Sequence, residues 1–131
     1  MKVESANTGP RGVLSSGAAV VKDELRKAIR DGNVQFIYKI LEEYTPIFTD
    51  LLNKKTEAEA TDSHYLPVIF EAISLADNSD QHDEIVRLLI LLGANLKERI
   101  EDGDTALHHA VFWNAPKSVI ISLIQWGINV N

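Results

Sequence analysis

The chain reads DGDTALHHA over residues 102–110, and this stretch decides the fold. It opens a helix that the pattern predicts over Thr105–Trp113. A turn at Asn114–Lys117 leads to a second predicted helix, Ser118–Trp126, which Gly127 is expected to end. Two short helices joined by a tight turn form an antiparallel hairpin. The end of the chain is therefore predicted to be a helical hairpin.

The same order of helix, turn and helix occurs twice more. A helical pattern starts at Ala18, breaks at Asp31-Gly32 and resumes at once. In the middle of the chain a helix is predicted after Pro67, then a polar loop over Asp77–Asp83 and an apolar helix over Glu84–Leu92. Recurring units of this kind predict a repeat architecture, in which each unit buries its apolar face against its neighbours.

The third unit resembles an ankyrin repeat. That family has a unit of about 33 residues and a T-P-L-H-x-A motif. Thr105–Ala110 matches the motif except that Ala106 stands where Pro is usual. Glu84–Asn95 is similar to the V-x-x-L-L-x-x-G-A ending of the family, and Leu89 and Leu123 are 34 residues apart. The resemblance covers most of the chain and is weaker in the first two units.

The resemblance implies an all-α fold, an ankyrin-repeat solenoid of stacked helix-turn-helix hairpins. We expect a flexible leader over residues 1–17 and the repeat domain over residues 18–131. Within the domain a capping repeat falls at about 18–52, a second repeat at 62–95 and a third at 100–131. Because no polar cap follows the third repeat, a piece of a longer array is expected.

Insertions separate the units. The small residues Ala28 and Ala72 are 44 residues apart, and Ala72 and Ala110 are 38 apart, both more than one period. We place the extra residues at about Tyr44–Ser63 and Asp77–Gln81. Most of them, at Asn53–Ser63 and Asp77–Asp83, are expected to be surface excursions that the stack does not need, and such loops often carry binding functions.

Composition excludes several classes of function. The 131 residues carry a formal net charge of −6, which argues against binding nucleic acid or anionic membranes. The chain has no Cys, and therefore neither disulfides nor a Cys-based zinc site. Its apolar runs are too short to cross a bilayer, and Met1–Gly17 lacks the apolar region of a signal peptide. We expect a cytoplasmic or nuclear protein without membrane insertion.

No pattern indicates catalysis, a cofactor or a metal. His108 occupies the motif histidine, which the resemblance implies is structural, tying the loop to the helix. His109 points to another side of the helix, so the pair cannot chelate one ion. His64 and His82 lie in separate predicted loops, and motifs such as H-E-x-x-H and G-x-S-x-G are missing from the sequence. We therefore expect no enzyme, no cofactor and no metal.

The resemblance implies a protein-interaction module that binds a partner peptide or domain through a concave face. In the family this face is lined by positions after the small inner residue and by the loop before the motif threonine. Carried over, these positions are Arg30, Asp31, His64, Leu66, Ser74, Leu75, Glu101, Asp102, Asp104, Phe112 and Trp113. An acidic loop beside two aromatic residues suits a partner with basic and apolar side chains.

Other interpretations stay open at this point. The array is also compatible with a regulatory or docking segment of a larger enzyme or channel. A narrower alternative is a reader of histone-like tails, in which Trp113, Phe112 and Glu101 hold a lysine or methyl-lysine. Against both stands packing of the aromatic pair on a neighbouring repeat, with the acidic residues forming a solvated loop. The partner and the oligomeric state are not determined by the sequence.

Overall fold

Helices make up the part of the chain that the computed structural model describes, residues 13–129, with side chains described as far as Gly127. Within this range there is no β-strand, so the predicted all-α fold is confirmed. None of these helices has the length and apolar character needed to cross a membrane. The helices are α1 (Ser16–Asp31), α2 (Val34–Glu43), α3 (Phe48–Asn53), α4 (Glu57–Ala60), α5 (Val68–Leu75), α6 (Asp80–Leu91), α7 (Ala106–Phe112) and α8 (Lys117–Asn129).

Three helical hairpins stack in series. They are α1 with α2, α5 with α6, and α7 with α8. Helix α5 packs against both α1 and α7, while α6 packs against both α2 and α8. We call α1, α5 and α7 the inner helices and α2, α6 and α8 the outer helices. Each hairpin therefore completes its core with residues of the next one, as expected of a repeat stack.

Small residues on the inner helices allow the close stacking. Ala28, Ala72 and Ala110 are all buried, one in each inner helix. The outer helices contribute the larger apolar side chains, such as Leu89 and Leu123, which are buried in matching places. Because these alanines are buried in helices that pack against one another, a larger side chain there would force the hairpins apart.

Glycines in the left-handed conformation end two helices, and a third glycine does not. Gly32 follows α1 with φ 69°, and Gly93 follows α6 with φ 104°. The predicted end of the last helix at Gly127 is wrong, because α8 continues to Asn129 and Gly127 does not adopt a positive φ. Residues 128 and 129 therefore belong to the helix. Residues 130 and 131 lie outside the described part.

Helix α6 begins earlier than the sequence predicted. The expected polar loop, Asp77–Asp83, contributes its second half to the first turn of the helix. Ser79 caps this turn by accepting a hydrogen bond from the His82 N–H at 3.2 Å. Asp80 and Asp83 lie in the same turn, where a helix N-terminus favours negative charge. Part of the predicted insertion is therefore the start of an outer helix.

The longer predicted excursion, Asn53–Ser63, packs onto the first hairpin, and the insertion that contains it adds to the core. A 3₁₀ turn, Thr45–Ile47, leads into α3, whose Phe48, Leu51 and Leu52 are buried. The short α4 starts with a capping box, in which Thr56 and Glu59 exchange side chain-to-backbone hydrogen bonds. Glu59 then reaches back to α1, so this segment braces the first hairpin.

The last residues of the predicted leader, 13–17, belong to the folded part of the chain. Leu14 is buried, and its N–H donates to the Lys55 carbonyl at 2.8 Å. Ser15 caps α1 by accepting from the Ala18 N–H, and Ser16 is already helical. Residues 13–17 are therefore part of the fold. The expectation of a flexible segment at residues 1–12 lies outside the described residues.

Candidate interaction surface

One side of the stack presents corresponding positions of all three inner helices. Arg30, Ser74 and Phe112 each come two residues after the buried alanine of their helix. Because the inner helices lie side by side, these positions form a row, which we call the inner face. Arg30 and Phe112 are exposed, and Ser74 is partly exposed. The row corresponds to positions that the sequence assigned to partner binding.

A groove of about 450 Å³ opens at the first two inner helices. We call it the charged groove. Four of the predicted partner-binding residues meet there, Arg30, Leu66, Ser74 and Leu75. Its remaining walls come from residues that the sequence interpretation did not select. They are Arg26, Glu59, Asp62, Tyr65 and Glu71.

Ion pairs fill much of the charged groove. Arg26 contacts Glu71 at 2.6 Å and Glu59 at 3.0 Å, and it also donates to the Leu66 carbonyl at 2.7 Å. Arg30 contacts the second oxygen of Glu71 at 3.1 Å. Two arginines of α1 are thus tied to α4 and α5. The carboxylates of Glu59 and Glu71 are already neutralised and offer little free charge to a partner.

A fully buried lysine lies behind this network. Lys22 has 0 % exposure, and its Nζ donates to Glu59 Oε1 at 2.8 Å and to the Lys54 carbonyl at 2.7 Å. Burial raises the pKa of Glu59, but the hydrogen bonds from Lys22 and the Thr56 N–H and the charges of Lys22 and Arg26 outweigh it. The pKa of Glu59 therefore lies below its ordinary value, and the group stays a carboxylate.

Tyr65 forms the floor beside the ion pairs. Its ring lies under three cations, with Lys55 Nζ at 4.9 Å, Lys22 Nζ at 5.5 Å and the Arg26 guanidinium at 5.9 Å from the ring centre. Its hydroxyl is buried and has no hydrogen-bond partner within residues 13–129. Burial, together with the charge of Glu59, raises the pKa of this phenol. The floor of the groove is thus fixed by packing rather than by solvent contacts.

An aromatic cluster continues the inner face at its other end. The Phe112 and Trp113 rings meet edge to face, with centres 5.7 Å apart and planes at 82°. Trp113 also lies 6.1 Å from His109, whose ring contacts Phe70 at 5.2 Å. Asn114, with φ 57°, ends α7 and leaves these side chains at the helix end. Phe112 is 77 % exposed, which excludes packing on a neighbouring hairpin for this residue.

His109 is the buried base of the cluster. Its side chain is almost inaccessible, and Nε2 has no hydrogen-bond partner in the described part of the chain. Burial lowers the pKa of His109, while the charge of Asp104 and a hydrogen bond with the Phe70 backbone partly offset the effect. Asp104, which lies in the acidic turn just before α7, is near enough to His109 for its charge to act on the ring.

That acidic turn is held by backbone bonds. The Ile100 N–H donates to the Asp104 carbonyl at 3.0 Å, and the Gly103 N–H donates to the Ile100 carbonyl at 2.7 Å. Gly103 has φ 87°, a conformation that glycine adopts without strain. Glu101 and Asp102 are exposed at the tip, and Asp104 is partly exposed. Three predicted partner-binding carboxylates therefore share one turn.

The motif histidine has the structural role expected of it. His108 Nδ1 accepts a hydrogen bond from the Thr105 N–H at 3.1 Å and lies 2.9 Å from Thr105 Oγ1. This reciprocal capping box fixes the start of α7. Among the described residues no group of His, Asp or Glu is placed to hold a metal ion.

Two predicted partner-binding residues lie apart from the others. Asp31 is at the end of α1, where it pairs with Lys27 at 3.0 Å, and it does not line the charged groove. His64 is exposed and makes only local contacts with Asp62 and Ser63. Helix rotation explains the position of Asp31, because successive residues of a helix point about 100° apart.

Sequence reasoning missed Glu59, Glu71 and Tyr65, which build most of the groove. Glu59 had a detectable local signal, since Thr56 and Glu59 have the T-x-x-E spacing of a capping box. No comparable signal marks the contacts of Arg26 with Glu59 and Glu71, which join residues 33 and 45 positions apart.

Residues 69–126 match the family model described as ankyrin repeats (many copies). This segment belongs to the ankyrin repeat family. It spans the second and third hairpins, so the predicted family is confirmed there. Ankyrin repeats generally mediate protein–protein interaction, and domains built from them are typically not catalytic. No curated protein and no solved structure gave a significant match to the chain.

Proposed function

We propose that the inner face binds a partner protein or peptide without catalysing a reaction, with the aromatic cluster as its anchor. The observation that carries the proposal is the 77 % exposure of Phe112, in contact with a half-exposed Trp113. Aromatic rings offer a large apolar area at a small cost in conformational entropy, so they dominate the energetics of many interfaces.

The position of Phe112 supports a binding role. Its equivalent in the second hairpin is Ser74, which lines the charged groove rather than the contact between hairpins. The exposure of Phe112 therefore does not arise from a missing neighbour in the stack. A side chain at this position faces solvent in both hairpins, and in the third hairpin it is a large aromatic one.

The acidic turn indicates the chemistry of the partner. Within the described residues no cation pairs with Glu101 or Asp102, whereas Glu59 and Glu71 of the charged groove are paired with arginines. On the inner face, unpaired negative charge therefore lies at the acidic turn and not in the charged groove. A partner segment that carries Lys or Arg next to an apolar side chain would satisfy both features, with the charges steering the encounter.

The perpendicular rings favour lysine-bearing tails as a narrower candidate. With planes at 82°, Phe112 and Trp113 form two walls of a corner that suits an alkylammonium group. Glu101 would supply the opposite charge. The other alternative, a docking segment within a larger enzyme or channel, has no specific observation in its favour and stays a prediction.

The proposal is tested by replacing the aromatic anchor residues with alanine. Proteins captured from a lysate by the wild-type chain are compared, by quantitative mass spectrometry, with those captured by the Phe112→Ala/Trp113→Ala variant. The matched control is Val20→Ala/Tyr38→Ala, which removes exposed apolar groups from the first hairpin. We expect loss of specific partners only with the first variant, and about a 30-fold or greater loss of affinity for an identified partner.

Folding and charge are checked separately. Both variants alter exposed side chains, so we expect circular dichroism and thermal unfolding to remain close to those of the wild type. Synthetic lysine-rich, trimethyl-lysine and acidic peptides then test the partner chemistry by fluorescence anisotropy. Equal capture of every partner by the Phe112→Ala/Trp113→Ala variant would reject the inner face as the binding surface. Preference for the acidic peptides would reject the basic partner.

A further inference from the structure

A second exposed apolar surface lies on the outer helices. Leu91, the last residue of α6, is 61 % exposed, and Trp126 of α8 is 39 % exposed. Together with Leu96 they line a depression of about 390 Å³ whose walls are mostly apolar. We call this depression the outer groove. It shares no residue with the inner face, which lies on the inner helices.

The exposure of Leu91 does not arise from a missing neighbour in the stack. Its helix, α6, packs against both α2 and α8. By the 34-residue offset between Leu89 and Leu123, the equivalent of Leu91 in the third hairpin is Gln125, which is also exposed. This position therefore faces solvent in both hairpins, and only in the second hairpin does it hold an apolar side chain. An apolar patch at a solvent position indicates a contact surface.

Earlier turns of α6 expose charged side chains instead. Glu84 is exposed, and the half-exposed Arg87 pairs with Asp83 at 3.0 Å. The outward side of the helix thus changes from charged to apolar at its last turn, where the outer groove lies. The apolar patch is local and does not extend along the whole helix.

The loop that forms one wall of the outer groove is held by hydrogen bonds. Gly93 adopts φ 104°, and Asn53 of α3 bonds to the Gly93 carbonyl and to the Asn95 N–H. The Lys97 N–H donates to Asn95 Oδ1 at 3.0 Å. Because this wall is already ordered, a partner that docks there loses little affinity to the ordering of the loop.

Lys97 is the charged residue of the outer groove. Within the described residues no carboxylate forms an ion pair with its ammonium group. Glu98, the next residue, is engaged elsewhere: burial raises its pKa, and the charges that act against this shift are those of Lys55 and Lys22. The groove therefore combines an apolar lining with an unpaired positive charge, in a chain whose net charge is −6.

We propose that the outer groove docks an amphipathic helix of a partner protein that carries Asp or Glu beside its apolar face. Apolar side chains three and four residues apart would pack on Leu91, Leu96 and Trp126. A carboxylate at the edge of that face would pair with Lys97. A helix fits this surface, because residues 13–129 present no sheet edge to which an extended segment adds.

The outer groove and the inner face select opposite charges. The acidic turn of the inner face suits a basic partner, whereas Lys97 in the outer groove suits an acidic one. Because the two surfaces lie on different helices, occupation of one leaves the other open. The chain would then hold two different proteins together, which goes beyond binding a single partner.

A phage-displayed library of helical peptides of about 16 residues, or four helical turns, supplies the probe. Peptides are selected on the wild-type chain after removal of those that bind Leu91→Ser/Trp126→Ser. We expect the enriched peptides to have apolar residues three and four positions apart with Asp or Glu beside them. In Trp113→Phe, Trp126 is the only tryptophan, and its emission should shift to the blue when a synthetic enriched peptide binds.

Substitutions separate the apolar contact from the charge. Leu91→Ser should weaken binding of the peptide at least about tenfold, as expected for loss of one buried leucine. Ile121→Ser is the matched control, because it also removes an exposed apolar side chain from an outer helix but does not line the groove. Lys97→Glu should weaken binding about tenfold, and a peptide with its acidic residues changed to Lys should restore it.

These substitutions alter exposed side chains, so circular dichroism should show the same fold in every variant. The proposal is overturned if no peptide is enriched, or if enriched peptides are basic or bind Lys97→Glu as well as the wild type. A dimer in analytical ultracentrifugation that Leu91→Ser dissociates would assign the groove to a second copy of the chain and also overturn it.

The inner face is tested independently. Phe112→Ala/Trp113→Ala should bind the enriched peptide as tightly as the wild type does, because neither residue lines the outer groove. Loss of binding in this variant would place the peptide on the inner face and overturn the outer groove as its site. Failure of the outer groove leaves the proposed function of the inner face untouched, since the two rest on different residues.

Discussion

The first and third hairpins are held in the stack by different physical means. The first departs from the ankyrin motif and is fixed by a buried ion-pair network, in which Lys22 and Arg26 of α1 meet Glu59 of α4. The third has the motif, a capping box at Thr105 and His108, and a nearly uncharged helix pair. The comparison shows two ways to stabilise a repeat, one by specific ion pairs and one by the repeat motif with apolar packing between helices.

The difference has energetic consequences. A buried ion pair depends on both of its members, because removal of one leaves the other charged and desolvated. An apolar contact between helices loses stability in proportion to the atoms removed or the clash introduced. The first hairpin should therefore respond sharply to a single substitution, and the third should respond in a graded manner.

The largest expected effect comes from breaking the network. Glu59→Leu leaves Lys22 buried without its carboxylate partner, so we expect a loss of about 3–5 kcal/mol in the free energy of unfolding. Urea denaturation followed by circular dichroism measures this loss. Glu57→Leu, on the exposed side of the same short helix, is the matched control and should cost much less.

A double substitution tests whether charge is the cause. Lys22→Met/Glu59→Leu replaces the pair by apolar side chains of similar size, and it should recover a large part of the stability that Glu59→Leu removes. If the double variant is as unstable as Glu59→Leu, loss of α4 packing rather than an unpaired charge is responsible. The contrast with the third hairpin would then be one of packing alone.

A smaller effect is expected from overpacking the third hairpin. Ala110 is fully buried where α7 meets its neighbours, so Ala110→Leu should cost about 1–3 kcal/mol in the free energy of unfolding. Val111→Leu adds volume to an exposed neighbour and should be close to neutral. Thermal unfolding compares the two variants. Equal midpoints would show that the inner alanines do not set the distance between hairpins.

The smallest expected effect is the pH dependence at His109. Because burial lowers its pKa in the folded state, the unfolded chain takes up this proton first as the pH falls below about 6.5. The contribution of His109 to stability is therefore complete above that pH and is lost as the pH falls through the folded-state pKa. The negative charge of Asp104 favours the protonated ring, so it offsets part of the lowering of the pKa of His109 by burial.

Urea denaturation between pH 8 and pH 5 measures this dependence. Glutamine does not titrate, so His109→Gln removes this contribution while leaving the other three histidines in place, and it should show a flatter profile than the wild type. The low pKa of Glu59 acts in a separate window: the stability it provides is present at neutral pH and is lost below the ordinary carboxylate range. If the free energy of unfolding depends on pH in the same way in wild type and His109→Gln, the pH dependence does not come from His109.

Local sequence signals predicted the start of α7 and the end of α6 well. The motif from Thr105 to Ala110 fixed the start of α7, and the Gly93 stop fixed the end of α6 within one residue. These features depend on neighbours within one helical turn, so the local sequence contains the information. The row of positions two residues after the inner alanines was also predictable, because it follows from the repeat period.

Other features depended on residues far apart in the chain. Nothing near Lys22 indicated that it would be fully buried, because its partner Glu59 is 37 positions away. Gly127 resembles Gly93 in its local sequence and yet continues its helix, so the stop signal depends on the backbone conformation and not only on the residue type. Ser79 and Thr56 are residue types that commonly cap helices, and this local signal is independent of the repeat period.

Asn53, at the end of α3, makes two hydrogen bonds to the loop after α6. Its Nδ2 donates to the Gly93 carbonyl at 2.9 Å, and its Oδ1 accepts from the Asn95 N–H at 2.9 Å. In repeat proteins whose units contact only their neighbours, unfolding can proceed from one end to the other. Here the inserted helix links the first hairpin to the segment that leads into the third. The chain should consequently lose its structure in one concerted transition rather than hairpin by hairpin.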